Sequence, residues 1–382
     1  MTSFFHTLGQ RISDPARASR TSIQKALDQC TCGQSIFFRN SLCLACQSPL
    51  GYEPQRGSMV TLQPADQAGI WQAQNTGTQY RRCSNFETPA GCNWLLPAQT
   101  DGDLCIACRL NRAIPDLSIP GNDRRWAKLE TAKRRLVAQL LTLRLPVISR
   151  MDDADHGLAF DFLATTADGE QPITGHAGGL ITLNAEEADD ARREQVRVQM
   201  HEPYRTLLGH FRHEVGHYYW DLLVADGPWL EAFRQVFGDE RSDYAAALQL
   251  HYEQGAPADW QSSFISAYAT MHPWEDWAET WAHYLHMMDT LDTALSLGMR
   301  AGDIELDFQP FTRETLHAPD EPQADAFLVF VNAWIELAAM LNELSRSMGQ
   351  PDLYPFVLPA AVIGKLHLVH RVVLAAGSTS SG

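Results

Sequence analysis

The segment His210-Phe211-Arg212-His213-Glu214-Val215-Gly216-His217 sets two histidines four residues apart, with a glutamate directly after the first. On an α-helix, residues four apart lie one above the other on the same face. His213 and His217 can therefore aim imidazole nitrogens at one Zn²⁺, while Glu214 stands beside the metal's open position. Two neutral imidazoles and an adjacent carboxylate are what a zinc hydrolase needs: two ligands, and a general base for the water that the metal activates. In a chain with 14 histidines such a spacing also arises by chance among buried structural residues, so a third ligand has to be found. A metzincin-type third histidine is excluded, because the sixth residue after His217 is Leu223. Further on, Glu275 and Glu279 stand four apart behind Pro273, a residue suited to the first turn of a helix. One of these carboxylates can complete the metal shell, and the other can accept an N–H from a ligand histidine and fix its tautomer. Asp221, one turn past His217, is a candidate for the same orienting work or for plain surface charge.

These residues need helices, and the sequence supplies them. Leu207, Leu208, Phe211, Val215, Leu222 and Leu223 recur at three-to-four-residue spacing, between a start at Glu202-Pro203 and a stop at Asp226-Gly227-Pro228. Helical patterns are also expected at Trp126–Leu143, Asn184–Met200, Pro228–Phe237, Asp243–Gln254, Pro257–Ala267, Trp281–Gly298, Asp325–Met348 and Val357–Val373. Asp239, Glu240 and Asp243 read as capping residues with an ion pair to Arg241, a second acidic cluster near the cleft being the competing reading. Strands are expected at Leu158–Ala164 and Gly179–Leu183. The second is read as an edge strand, with Gly178, Gly179 and Leu180 pairing with an extended peptide through backbone hydrogen bonds. A strand with a glycine bulge and no ligand is the competing reading.

All eight cysteines fall between positions 30 and 108. Short pairs such as Cys43-x-x-Cys46 and Cys105-x-x-Cys108 present two thiolates to one tetrahedral metal, and two pairs close the shell. Grouping in sequence order, Cys30, Cys32, Cys43 and Cys46 and then Cys83, Cys92, Cys105 and Cys108, closes smaller loops than an interleaved grouping and is expected on that ground. Disulfides suit a short secreted chain, and the N-terminus lacks the basic and apolar regions of a secretory signal. The region has few apolar residues, Gln63–Thr78 reads as a polar, mobile stretch, and the metals are expected to be structural.

The run Trp274-Glu275-Asp276-Trp277-Ala278-Glu279 resembles the Glu-x-x-Ala-Glu ligand helix of the anthrax lethal factor group of gluzincins. In that group the first Glu binds zinc, the second stands behind the ligands, and a Tyr seven residues before the first assists at the oxyanion. The resemblance thus implies Glu275 as third ligand, Glu279 as orienting residue and Tyr268 at the oxyanion. Over nearly its whole length the chain is similar to the bacterial family of zinc-binding metallopeptidases with an N-terminal zinc-ribbon domain. That likeness is carried by Tyr204-Arg205-Thr206-Leu207-Leu208-Gly209-His210-Phe211-Arg212-His213-Glu214, Phe237-Gly238-Asp239-Glu240 and His272-Pro273-Trp274-Glu275-Asp276-Trp277-Ala278-Glu279.

The expected class is α+β: a double zinc ribbon, then a mostly helical zincin-like domain with a small β-sheet. The divisions are a lead-in at 1–28, ribbons at 29–112, a linker at 113–123, the metallopeptidase domain at 124–373 and a disordered tail at 374–382. One catalytic and two structural zinc ions are expected. Residues 1–130 hold 13 Lys+Arg against 10 Asp+Glu and the remainder 17 against 36, so the formal −16 sits in the second part. Such a surface repels phosphate backbones and favours neutral or basic partners, a peptide or protein substrate among them. The apolar run Ala326–Leu341 is broken by Asn332 and Glu336, which argues for a buried helix and a cytoplasmic protein without membrane partners. Two rival readings stay open, a nucleic-acid-associated protease resembling SprT-like enzymes and a zinc-bound adaptor. Oligomeric state is not legible.

Overall fold

The computed structural model describes residues 28–166, 169, 171–172, 174–199, 202–299 and 306–379. The lead-in expected at 1–28 lies outside them except for Asp28, as do positions 380–382. The described residues divide into two compact units, 28–199 and 202–379.

In the first unit a short hairpin, β1 (Asp28–Gln29) and β2 (Ser35–Ile36), precedes a five-stranded antiparallel meander. The meander runs β3 (Leu50–Glu53), β4 (Ser58–Pro64), β5 (Trp71–Ala73), β6 (Gln79–Arg82) and β7 (Leu95–Pro97), each strand paired with the next. Gln63–Thr78, expected as a mobile stretch, instead carries the end of β4 and all of β5. The region also holds more core than its composition suggested. Val60, Leu62, Ala73, Tyr80 and Leu95 pack together, and Phe38, Tyr52 and Trp94 form an aromatic group with centroids 4.7–6.3 Å apart. Period-two alternation places few but large apolar residues on one face, so a low apolar count still suffices. Gly51 is required there, because a Cβ would stand 2.6 Å from the Leu95 side chain.

A second sheet in this unit has the order β10 (Gly175–Ala177), β11 (Leu180–Asn184), β9 (Ala159–Leu163), β8 (Asn111–Ala113). β9 pairs in parallel with both β11 and β8, so the expected linker at 113–123 begins on a sheet strand. This order corrects the edge-strand reading. β11, with Leu180, has neighbours on both sides, and the edges of the sheet belong to β10 and β8. Gly178 (φ 52°) and Gly179 (φ 82°) form the two-residue β10–β11 turn, where left-handed backbone at both positions is what a type I′ hairpin needs. Helices α1 (Asn122–Thr142) and α2 (Asp190–Gln199) complete the unit.

The second unit holds α3 (Leu207–Leu223), α4 (Leu230–Phe237), α5 (Tyr244–Gln254), α6 (Pro273–Ser296), α7 (Ala324–Ser347) and α8 (Ala360–Thr379), which makes eight α-helices among the described residues. The chain is therefore α+β, a ribbon region followed by a largely helical part with a small sheet. Thr206 caps α3 by accepting the Gly209 N–H at 2.9 Å, so the helix starts four residues after the expected Glu202-Pro203. His272 caps α6. Its Nδ1 accepts the Trp274 N–H at 3.1 Å, and Pro273 follows in the first turn. Pro257–Ala267 is not a helix beyond one 3₁₀ turn at Trp260–Ser262. Lys365 Nζ captures the Ser263 carbonyl at 2.7 Å, and tertiary bonding overrides the local pattern. α7 and α8 are long and apolar enough to cross a membrane, with mean hydropathies of 1.6 and 1.4 over their most apolar windows. α8 nonetheless buries Lys365 against Asp276 at 2.6 Å and His370 against the Tyr284 hydroxyl at 2.9 Å, so its polar groups are satisfied by protein. α8 also runs on through Thr379, so residues 374–379, expected as disordered tail, are helical.

Candidate active site

Two helices carry the site, and their closeness rests on one residue. A Cβ on Gly216 of α3 would meet the Ala278 Cα of α6 at 3.0 Å and its carbonyl oxygen at 3.3 Å. The Trp277 indole N–H donates to the Gly216 carbonyl at 2.9 Å, and Tyr219 stacks on Trp281 with centroids 5.0 Å apart. Around this contact Phe211, Val215, Trp277 and Trp281 are fully buried. Burying a side chain of that size stabilises by about 1.5–3 kcal/mol, which holds the two helices in fixed register.

That register brings His213, His217 and Glu275 together. Glu275 Oε2 lies 3.0 Å from His213 Nε2 and 3.3 Å from His217 Nε2. On the far side of the first ring, His213 Nδ1 lies 2.7 Å from Glu279 Oε1, and Glu279 Oε2 accepts the Ser266 hydroxyl at 2.6 Å. A proton on Nδ1, shared with Glu279, leaves a bare lone pair on Nε2 facing the Glu275 oxygen. Two such electron pairs at 3.0 Å repel each other unless a proton or a cation lies between them. Tetrahedral ligands about 2.0–2.1 Å from zinc would be separated by about 3.3 Å, close to the spacings found. The donor set and its spacing therefore fit a zinc ion.

The electrostatics agree. Burial works to raise the Glu275 carboxyl, but the charges and hydrogen bonds of His217 and His213 outweigh it and hold it well below the usual carboxylate range. Burial likewise opposes ionisation of Glu279, and His213 brings it down to about 2. Glu214 is 5% exposed and lies 3.1 Å from His210 Nε2. Burial pushes its carboxyl up, yet the His210 hydrogen bond and the neighbouring imidazoles keep it below its ordinary value. Asp221 is exposed one turn beyond. Partial loss of water around its carboxyl on the helix side raises it above its ordinary value, and the His217 charge counteracts.

Tyr268 stands beside the site, its ring 6.0 Å from that of His213. Burial, Glu275 and Tyr244 keep its hydroxyl protonated. Tyr244 was missed in the sequence. It donates to Glu275 Oε1 at 2.7 Å from a different helix, and no spacing rule joins positions 244 and 275. Trp274 was missed as well; it stacks over His217 at 3.8 Å. His210 stands one helical turn before Glu214 on α3. His283 and His286 are buried, bonded to the Tyr354 hydroxyl at 2.8 Å and to Arg212 at 2.6 Å. Arg241 pairs with Asp239 at 2.7 Å and Asp243 caps α5 by accepting the Ala246 N–H, as their types suggested, whereas Glu240 pairs with Arg234 instead of Arg241.

The other unit holds the cysteines in two groups, Cys30, Cys32, Cys43, Cys46 and Cys83, Cys92, Cys105, Cys108, which is the grouping in sequence order. The sulfurs of Cys30 and Cys46 are 3.6 Å apart, those of Cys32 and Cys43 3.7 Å, and those of Cys92 and Cys105 3.6 Å. A disulfide would need about 2.05 Å. Thiolates at about 2.3 Å from a tetrahedral zinc stand about 3.8 Å apart. The second group is wholly buried, whereas Cys32 and Cys46 of the first are exposed. β10, β11 and the Gly178-Gly179 turn lie in this same unit.

Comparison with known proteins bears on both regions. Residues 27–119 match a family described as "zinc-ribbon domain". The chain is 46% identical over 343 residues to uncharacterized proteins of Mycobacterium tuberculosis (strain ATCC 25618 / H37Rv) and Mycobacterium bovis (strain ATCC BAA-935 / AF2122/97), covering 90% of this chain and 93% of each of those. No solved structure matches the chain. Residues 122–372, well over half of the chain and the part holding His213, His217 and Glu275, match the family described as "Putative zinc-binding metallo-peptidase", and to that family this protein belongs.

Proposed function

We propose that the protein is a zinc-dependent peptidase of the gluzincin type, with one catalytic and two structural zinc ions. The observation that carries this is the meeting of His213 Nε2, His217 Nε2 and Glu275 Oε2 within 4.8 Å, with Glu214 on the next position of the same helix. Bound there, zinc would supply Lewis-acid polarisation of the scissile carbonyl and acidify a water. Glu214 takes the proton of the attacking water and delivers it to the leaving amine, and His210 at 3.1 Å keeps its carboxylate oriented. Glu279 holds His213 in the tautomer that presents Nε2 to the metal. Tyr268 is the group for the oxyanion that forms on the substrate, a hydroxyl kept protonated and so able to donate.

The substrate class follows from charge. Residues 200–382 hold 9 basic against 25 acidic side chains, the whole of the formal −16. Among the described residues of this unit every Arg and Lys is already ion-paired to a carboxylate. No described cation is left to hold a substrate's terminal carboxylate, which favours internal cleavage of neutral or basic peptides over carboxypeptidase action. Nucleic acid is disfavoured for the same reason. Eight thiols without a disulfide support a reducing, cytoplasmic setting. An adaptor role has one supporting observation, the exposed Leu44 and Phe37 (83% and 53%) beside the first cysteine group, but an adaptor has no need of Glu214.

Zinc content per chain tests the reading, comparing wild type with the His213→Ala/His217→Ala double variant. Three zinc falling to two is expected, and two in both proteins would contradict it.

A further inference from the structure

We propose that Tyr244 is a positioning residue for the metal carboxylate, and that α5, on which it stands, is a hinged lid whose seating is read by the metal site. The inference rests on His213, His217 and Glu275 binding metal, as argued above, and not on the reaction they promote.

α5 differs from the helices around it. None of its eleven residues is buried, so it lacks the apolar anchoring that fixes α3, α6 and α8. It lies between two glycines in left-handed backbone, Gly238 at φ 106° and Gly255 at φ 72°. Such residues absorb a change of backbone angle at little cost. The face turned inwards carries Tyr244, Ala247, Leu248 and His251, spaced as one helical stripe, and the last three are only half-buried. An apolar stripe left part-open above a reactive centre is where a substrate chain can lie.

The ties that seat this helix converge on the metal ligands. The Tyr244 hydroxyl donates to Glu275 Oε1 at 2.7 Å, and its ring lies 5.3 Å from His272 and 6.2 Å from Trp274. The His251 ring lies 5.8 Å from Tyr268. Just before α5, the Ser242 carbonyl accepts the His272 Nε2–H at 3.1 Å, while the other nitrogen of that ring caps α6. The division of labour on Glu275 matters most. Oε2 faces both imidazoles, and Oε1 is held by Tyr244. This holds the carboxylate to one metal-facing oxygen. When the lid lifts, Oε1 is released and the carboxylate can turn to offer both oxygens. Metal occupancy and lid closure are thereby coupled, each favouring the other.

The test uses full-length protein with its ribbons loaded and follows the remaining zinc equivalent. Hydrogen exchange of the α5 amides is measured with and without that equivalent, in wild type and in Tyr244→Phe. Slower α5 exchange on zinc binding is expected in wild type and is expected to vanish in the variant. Zinc affinity should fall 10–100-fold in Tyr244→Phe, and the cobalt-substituted site should change its visible spectrum as the carboxylate turns. Thermal stability of the ribbon-loaded protein lacking that equivalent should be the same in both, as befits an exposed phenol. Normal zinc binding with α5 exchange indifferent to zinc would overturn the lid and leave the peptidase reading intact. Zinc content unaffected by the His213→Ala/His217→Ala change would overturn both.

Discussion

Replacing Gly216 by alanine sets two opposed effects against each other, and the structure gives the size of each. In the middle of α3 the exchange raises helix propensity by about 0.8–1.0 kcal/mol. Against this, the new methyl meets the Ala278 Cα at 3.0 Å, the Ala278 carbonyl oxygen at 3.3 Å and the Trp281 Cβ at 3.3 Å. Backbone and Cβ atoms cannot swing aside as a flexible side chain would, so α3 and α6 must part by a few tenths of an ångström. Overpacking of this kind costs about 1–3 kcal/mol. The net change in stability should be a loss of about 0–2 kcal/mol. The metal site is less forgiving, because ligand positions must hold to about 0.2 Å, and two ligands sit on α3 while the third sits on α6. Gly216→Ala should therefore lose zinc affinity at the helix site by tenfold or more while melting within a few degrees of wild type. Chelator competition and thermal melts of the ribbon-loaded protein read the two quantities separately. A variant that is about 1 kcal/mol more stable and binds zinc as wild type does would refute the argument that this glycine sets the ligand spacing.

Further expectations follow from the same geometry. Glu279→Gln keeps the side-chain shape but can present an amide N–H to His213 Nδ1 in place of an acceptor, so zinc affinity or turnover should fall about 10–100-fold, as chelator competition and peptide assays will show. His370 is 1% exposed, and burial, with His367 nearby, depresses it to about 3. Between the ordinary value of 6.5 and about 3, the unfolded chain holds a proton that the native one lacks. Stability should therefore fall by about 1.4 kcal/mol per pH unit for this residue as pH drops below about 6. His370→Gln should flatten that slope in acid denaturation, and an unchanged slope would show that the histidine is not titrating. In zinc-free protein Cys32 and Cys46 should be alkylated before Cys83, Cys92, Cys105 or Cys108, since only the first group has exposed thiols. Mass-mapped alkylation in any other order would contradict this.

What the sequence disclosed were the features governed by local spacing. The face shared by His213 and His217, the start of α6 at Pro273 and the knuckles of the cysteine groups all depend on residues within one or two turns of each other. What it concealed depended on distant partners. β11 could be read as an edge only while β10 and β9 were unassigned as its neighbours, and β9 in turn is flanked by a strand from before α1. Pro257–Ala267 was expected as a helix, but Lys365 arrives from α8 to hold the Ser263 carbonyl. Tyr244 left no trace at all, because its partner Glu275 belongs to another helix and only the packing brings them together. A metal site's ligands recur in motifs, whereas the groups that orient them come from wherever the fold supplies a donor.

Hydrolysis of a mixed peptide library tests the central claim most directly. Zinc-loaded wild type and Glu214→Gln are compared at equal metal content, and new peptide termini are read by mass spectrometry. New termini from wild type, internal in position and biased towards neutral or basic sequences, with a loss of about 10²–10⁴-fold in the variant, are the expected result. Cleavage equal in the two proteins, or none by a wild type carrying all three zinc ions, would contradict the account.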